Sequence, residues 1–359
     1  MEHVFAGFHG MHDVFTWKQE WIEGQFQLPL SFEIVSIGGE IHFYIRIPED
    51  YRDLIETNIY SQFPEAEISQ VEDYTKNVPQ NIPNKEWNLF AWDMIWSNKS
   101  PYSIRTYKDF GVAPMTPEEK RITPLAGLLE GMAVLKPGEQ MWIQITISPV
   151  REEIPWAEDG RKIVAEIVKR PSPVKPKSIV GEAADVLITG KPPGVQEEPK
   201  QEIIPPEMRL TPGERDIVKG IEDKISKVGY YSNIRCIYLG KRDVFFKPKA
   251  RIIFGFFKEV STENVNGLKP WIKTFPRVEW IFPKMRTYLI LRRLFRKYTM
   301  RLPPLYPGGP HYPHQNGRYI LNIEELATLF HFPGRMAAPA PGISRIGAKK
   351  GEPPAIPTE

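Results

Sequence analysis

The stretch KMRTYLILRRLFRKYTMR, residues 284–301, sets cations at helical spacing. Arg286, Arg292, Arg293, Arg296, Lys297 and Arg301 are expected on one face, with Met285, Tyr288, Leu289, Leu294 and Phe295 on the other. Guanidinium groups along one ridge follow a phosphate backbone without reading bases, or lie on an anionic membrane surface, or stay solvated against an acidic part of the same protein. No other constellation in the chain is as well formed. A phosphate-binding loop of the form G-x-x-x-x-G-K-[ST] would cradle phosphates in backbone N–H groups, and it is absent. DVLITGKPPG lacks the first Gly and puts Pro192 where the hydroxyl belongs; GISRIGAKK inserts Ala348 before the Lys. Histidines pair in HGMH (His9, His12) and HYPH (His311, His314), each half of a zinc site, in a chain with one cysteine to add. That cysteine, Cys236, sits mid-strand in NIRCIYL and reads as a buried, inert thiol. There is no G-x-S-x-G elbow, and the carboxylates show no catalytic spacing. No catalytic residue, cofactor or metal site is therefore assigned, and the chain is not expected to be an enzyme.

The elements that must carry these residues come from a chain of 359 residues, 41% hydrophobic and 12% aromatic, enough for real cores. Its 36 prolines are about twice the usual share, which predicts a segmented chain. No run approaches the roughly 18 apolar residues that cross a bilayer, and the start lacks the pattern of a secretory signal. One cysteine excludes an intrachain disulfide and suits a reducing cytoplasm. Charge is asymmetric: residues 1–199 hold 19 Lys and Arg against 30 Asp and Glu, a net of −11, and residues 200–359 hold 28 against 14, a net of +14. The halves therefore attract each other, and the second half is also suited to a polyanion.

Along the chain, Val4, Phe5, Phe8, Met11 and Phe15 predict an amphipathic N-terminal helix within residues 1–27. LSFEIVSIGGEIHFYIRIP alternates on both sides of Gly38-Gly39 and predicts a β-hairpin. A helix follows over EDYRDLIETNIYSQF. Strands are expected in AEISQVEDY, WNLFAWDMIW and YSIRTYKDF, a helix near Pro124, and a last strand in GEQMWIQITISPV. That order predicts an α+β protein, with a ferredoxin-like (split βαβ) antiparallel module over 28–152. Residues 153–207, with eight prolines between Arg170 and Met208, read as a linker or insertion. A second, smaller and basic α/β module is expected over 208–332. It opens with a helix capped by Thr211, Pro212 and Glu214, whose buried face is marked by Ile217, Ile221, Ile225 and Val228. Residues 333–359 are a Pro/Gly/Ala connector.

Taken together, SFEIVSIGGEIHFYIRIP with NIYSQFPEAEISQVEDY, then PLAGLLEGMAVLKPGEQMWIQITISP, and finally LNIEELATLFHFPGR with KKGEPPAIP resemble the N-terminal, non-ATPase region of FtsK/HerA-type motor ATPases of type IV secretion or conjugation-like systems. The resemblance covers most of the chain outside Arg170 to Met208, and it rests on scaffold motifs that carry no chemistry. It implies that residues 333–359 lead toward a P-loop motor domain absent from this sequence, through a split gene or a truncation. It also implies a non-catalytic accessory or scaffold role at a translocating ATPase, in the cytoplasm at the inner face of the membrane. The expected partners are that ATPase or other secretion subunits. DNA, a second copy of the chain and a peripheral membrane contact stay open beside them. Glu324, Leu326, Leu329 and Phe332 of the last helix are the expected contacts, to the motor or to the chain's own core. The rival reading is a nucleic-acid-binding protein acting through the basic half.

Overall fold

A computed structural model describes residues 1–11, 16, 18–19, 22–23, 27, 29–110, 124–150, 156–168, 210–263, 265–302, 317 and 319–333. The chain divides into two compact units, Met1–Ile154 with Lys227–Glu359, and Pro155–Ser226.

In the first unit Gly38 and Gly39 take φ of +60° and +99°, the left-handed pair a two-residue hairpin turn requires. A Cβ on Gly39 would lie 2.8 Å from the Ala133 carbonyl oxygen, so glycine is needed there for space as well. The expected hairpin follows, β1 (Leu30–Ile37) against β2 (Glu40–Arg46), in register from Ile37↔Glu40 to Ser31↔Arg46. The other strands are β3 (Trp87–Trp96), β4 (Glu139–Pro149), β5 (Gly229–Lys241), β6 (Leu268–Pro270) and β7 (Tyr319–Asn322). All seven form one antiparallel sheet in the order β2-β1-β4-β5-β3-β6, with β7 also on β5. The protein is thus α+β.

Two expectations are corrected by this sheet. Residues 208–332 do not build a sheet of their own: β5 pairs with β4 on one side and with β3 on the other. The reason is length. Thirteen residues let β5 offer Arg235–Lys241 to β3 and Gly229–Ser232 to β7. No strand forms over AEISQVEDY or YSIRTYKDF; the first is irregular up to a short 3-10 turn at Tyr74–Asn77, and the second ends in a one-turn helix. Neither segment alternates well enough to offer the sheet a continuous apolar face.

The helices of this unit are α1 (Glu2–Phe8), α2 (Arg52–Gln62), α3 (Tyr107–Phe110) and α4 (Ala126–Ala133) before β4. The second unit contributes α5 (Trp156–Val168) and α6 (Pro212–Ile225). The first unit then resumes with α7 (Arg251–Glu259), α8 (Pro283–Thr299) and α9 (Ile323–Leu329). Strand alternation sorts the core into two clusters, one per sheet face. Phe32, Ile34, Ile143, Ile145, Cys236 and Trp92 pack with apolar residues of α1, α2, α4, α7 and α9. Val35, Trp142, Ile237, Leu239 and Ala91 face the other way, toward Tyr74, Val78, Ile82 and the buried face of α8. Both faces are covered, which is why β4 is buried along its whole length.

In the second unit, α6 carries the expected capping box, with Glu214 N–H donating to Thr211 Oγ1 and Thr211 N–H to the Glu214 carboxylate at 2.8 Å. Of its expected face only Ile221 is buried, while Val228 is exposed. A Cβ on Gly160 of α5 would lie 2.6 Å from Ile225 Cγ2, so glycine permits the close approach of these two helices. Helix α5 also shows that the segment read as linker includes thirteen helical residues, Trp156–Val168. The rest of that segment, the connector 334–359, and His12, His311 and His314 lie outside the described residues.

Candidate nucleic-acid interface

Helix α8 places the basic stretch. Its buried residues are Leu291, Leu294, Phe295 and Tyr298, and the ring of Trp142 on the sheet meets those of Phe295 and Tyr298 at 6.2 and 5.2 Å. The expected apolar face is therefore right for Leu294 and Phe295 and wrong for Met285, Tyr288 and Leu289, which are exposed. The helix docks by its C-terminal half; in its first turn and the residues before it, eight consecutive residues, 279–286, are exposed.

Of the expected cations, Arg286, Arg293 and Arg296 are exposed, and Arg292 and Lys297 are half-buried. No carboxylate among the described residues pairs with Arg286, Arg292, Arg293 or Arg296. Arg301 is a correction. It follows the helix end with φ +52°, and this left-handed turn sends its side chain back under the sheet, where the residue is only 6% exposed. There Nε donates to Glu33 Oε1 at 2.9 Å and Nη2 to Asp73 Oδ1 at 2.9 Å. Burial by itself raises the Asp73 carboxyl; hydrogen bonds from Arg301 and Thr75 outweigh it and bring it down to about 2. Arg301 is a structural cation and is not available to a ligand.

Arg301 ends a polar row that crosses four strands. Glu33, Gln144, Arg235 and Asp93 stand directly opposite one another in register, all buried. Gln144 Nε2 donates to Glu33 Oε1 at 2.9 Å, Arg235 Nη1 to Gln144 Oε1 at 3.3 Å, and Arg235 Nε to Asp93 Oδ1 at 2.8 Å. Tyr74 Oη adds a bond to Glu33 Oε2 at 2.6 Å and meets Tyr298 Oη at 2.8 Å. The row locks the end of α8 and the Asp73–Tyr74 turn to the sheet.

Beside the N-terminal half of α8 lies an open groove of about 1000 Å³. Lys85, Arg242, Lys284 and Arg292 line it together with the amides of Asn81, Asn84 and Asn88, and no carboxylate does. Register explains the convergence: Trp87↔Lys241 pairs the start of β3 with the end of β5, bringing the turns that carry Lys85 and Arg242 side by side. Asn84 fixes the first turn by accepting from Glu86 N–H and Trp87 N–H at 2.9 and 2.7 Å, and Arg242 Nε donates to the Asn84 carbonyl at 2.9 Å. Arg292 Nη1 donates to the Asn81 carbonyl at 3.3 Å and to Tyr288 Oη at 3.1 Å. Of these four cations, the sequence singles out Arg292. Lys284 opens the same basic stretch, and the signal for Lys85 and Arg242 is weak: basic residues in the turns PNKE and GKRD, which become neighbours once the pairing is known.

For the last helix the structure shows the second of the two expected roles, contact with the chain's own core. Leu326 and Leu329 are fully buried, and Phe332 packs its ring on Phe43, Phe63 and Phe330. Glu324 is 7% exposed; it accepts from Thr106 Oγ1 at 2.6 Å and from Lys108 Nζ at 2.7 Å, and also pairs with Lys227. Burial raises its carboxyl, and the bonds from Lys108, Lys227 and Thr106 outweigh this to lower it. All four residues belong to the chain's own core or its rim.

Cys236 is buried, and burial pushes its thiol well up, away from the thiolate a nucleophile needs. No His, Cys, Asp and Glu cluster suited to a metal occurs among the described residues, and none of their helices is long and apolar enough to cross a membrane. Comparison with family models, with curated proteins and with solved structures gives no match.

Proposed function

We propose that the chain is a non-catalytic module that holds nucleic-acid phosphates in the groove between the 81–88 turn and the N-terminal half of α8. The observation that carries this is the lining: four cations and three amides converge with no carboxylate among them. Arg286, Arg293 and Arg296 extend the positive surface along the helix. Lys and Arg with side-chain amides on backbone phosphates give affinity without sequence preference. Four phosphate contacts on a single strand correspond to a slope of about −3 in log affinity against log salt.

The test is electrophoretic mobility of labelled single- and double-stranded DNA across a salt series. The reading expects binding that weakens steeply with salt, and a slope shallower by about 2 in the triple variant Lys85→Ala/Arg242→Ala/Arg292→Ala. Salt-independent binding, or a variant that binds as well as the parent, would overturn it.

The resemblance to the non-ATPase region of FtsK/HerA-type motors supports placing this module at a DNA-translocating assembly at the inner face of the membrane, with the motor supplied by another polypeptide or domain. The ferredoxin-like reading of 28–152 belongs to the same proposal, supported by its two helices, α2 and α4, and by three of its four strands, β2, β3 and β4, on an antiparallel sheet. A pull-down that recovers neither a P-loop ATPase nor a secretion subunit counts against the placement and leaves the groove reading to its own test.

A further inference from the structure

The groove uses one side of the α8 N-terminus; the opposite, projecting side has a different chemistry. Trp280, Ile281 and Phe282 are 79%, 59% and 72% exposed, and Met285 and Leu289, one and two turns further on, are 60% and 52% exposed. Ile272, ten residues before Phe282 in the chain, is 88% exposed. Single exposed apolar side chains are ordinary on a protein surface, but a contiguous projecting cluster of this size marks an interaction site. Ile281 and Phe282 hold φ of +37° and +52°, in the left-handed region that L-residues with side chains avoid. The backbone accepts that conformation in a turn whose large side chains point away from the core.

Cations are interleaved with the cluster. Arg286 lies within it, and Lys273 follows Ile272 in the chain. The one carboxylate in the tip, Glu279, is met by Arg277 Nε at 2.7 Å and brings no uncompensated negative charge. Apolar side chains at the apex with cations beside them match the order of a bilayer surface, hydrocarbon beneath anionic headgroups, with Trp at the boundary. The aliphatic members decide against a nucleic-acid surface for this patch: Ile272, Ile281, Met285 and Leu289 have no face on which a base stacks.

We infer that the tip formed by Trp280, Ile281, Phe282, Met285 and Leu289 inserts into the interfacial layer of an anionic lipid bilayer, with Arg286 on the headgroups. This goes beyond the groove reading and stands or falls separately from it. Insertion of one such turn gives reversible, peripheral association that strengthens with the anionic fraction of the membrane.

The lone, buried Cys236 makes the experiment clean, since a Phe282→Cys variant offers one accessible thiol for an environment-sensitive fluorophore. The labelled chain is titrated with vesicles of phosphatidylcholine alone and with phosphatidylglycerol added. The expected result is a blue shift with the anionic vesicles, together with quenching by lipids carrying a quencher on the acyl chain. Partitioning should fall by about tenfold or more in the surface variant Trp280→Ser/Ile281→Ser/Met285→Ser, as loss of that much buried apolar area requires. DNA affinity of the serine variant should equal that of the parent, because none of its three positions lines the groove. Three results would overturn the inference. One is no shift or quenching with anionic vesicles; another is sedimentation that the serine variant leaves unchanged, which means headgroup attraction alone. The third is a shift that grows with protein concentration in the absence of lipid, which makes the partner a second copy of the chain.

Discussion

Arg301 shows how far one residue's surroundings can depart from its type. In sequence it closes a run of cations; in the fold it neutralises Glu33 and Asp73 beneath the sheet. Removing one partner of a buried pair strands the other charge, so Arg301→Met should cost about 3–5 kcal/mol, read as a lower midpoint in urea unfolding. An Arg293→Met change on the same basic run should stay within about 0.5 kcal/mol, because that side chain is solvated. Asp73 makes a pH prediction. Its carboxyl titrates lower in the folded chain, at about 2, than its ordinary 3.8, so the unfolded chain binds the proton more readily between those values. The stabilisation is present above about pH 4 and is lost as pH falls toward 2. Urea midpoints measured from pH 5 to pH 2 should fall less steeply in Asp73→Asn than in the parent. If the two series are parallel, the ion pair contributes nothing to acid sensitivity. The polar row itself has a sequence signal, one polar residue inside each apolar run of FEIV, WDMIW, WIQI and IRCIY. Which of them face one another depends on a register that no local pattern contains.

Local elements are legible in the sequence where short-range chemistry decides them. The Gly-Gly turn, the Thr211–Glu214 capping box and the Pro-led start of α8 are set by neighbours a few residues apart. Helix α8 is legible as a helix but not in its orientation, because apolar residues fall all around it: Met285 and Leu289 on one side, Leu291, Leu294, Phe295 and Tyr298 on the other. Both sets satisfy a helical period, and tertiary contact decides which one is buried. The choice is measurable. Phe295→Ala should destabilise by about 3–5 kcal/mol by emptying a site against Trp142, whereas Leu289→Ala should be close to neutral. A large loss for Leu289→Ala in the isolated chain would mean that the helix packs by its other face. The strands expected at AEISQVEDY and YSIRTYKDF fail for the complementary reason, since short apolar content without true alternation gives a sheet nothing to bury.

The charge asymmetry between the halves has a structural answer in part. Lys227 meets Glu2, Arg235 meets Asp93, Lys249 meets Glu139, and Arg301 meets Glu33 and Asp73, in each case a cation of the second half on a carboxylate of the first. Among the cations left exposed, Arg286, Arg293 and Arg296 lie on α8. The same interleaving holds for strands, as β5 covers an edge of β4 and an edge of β3 at once. Residues 1–168 expressed alone should therefore aggregate through those two edges, and co-expression with 210–359 should return a soluble complex. Soluble, monomeric 1–168 would mean that the two strands manage without β5. On the ribosome the same arrangement becomes a matter of timing. The roughly 80 residues between Pro149 and Gly229 take about 4–16 s to translate, and throughout that interval the nascent chain holds two apolar strands whose common neighbour has not yet been made. Slower codons in that stretch lengthen the wait, so synthesis rate there, as much as final stability, sets how much of the protein escapes aggregation.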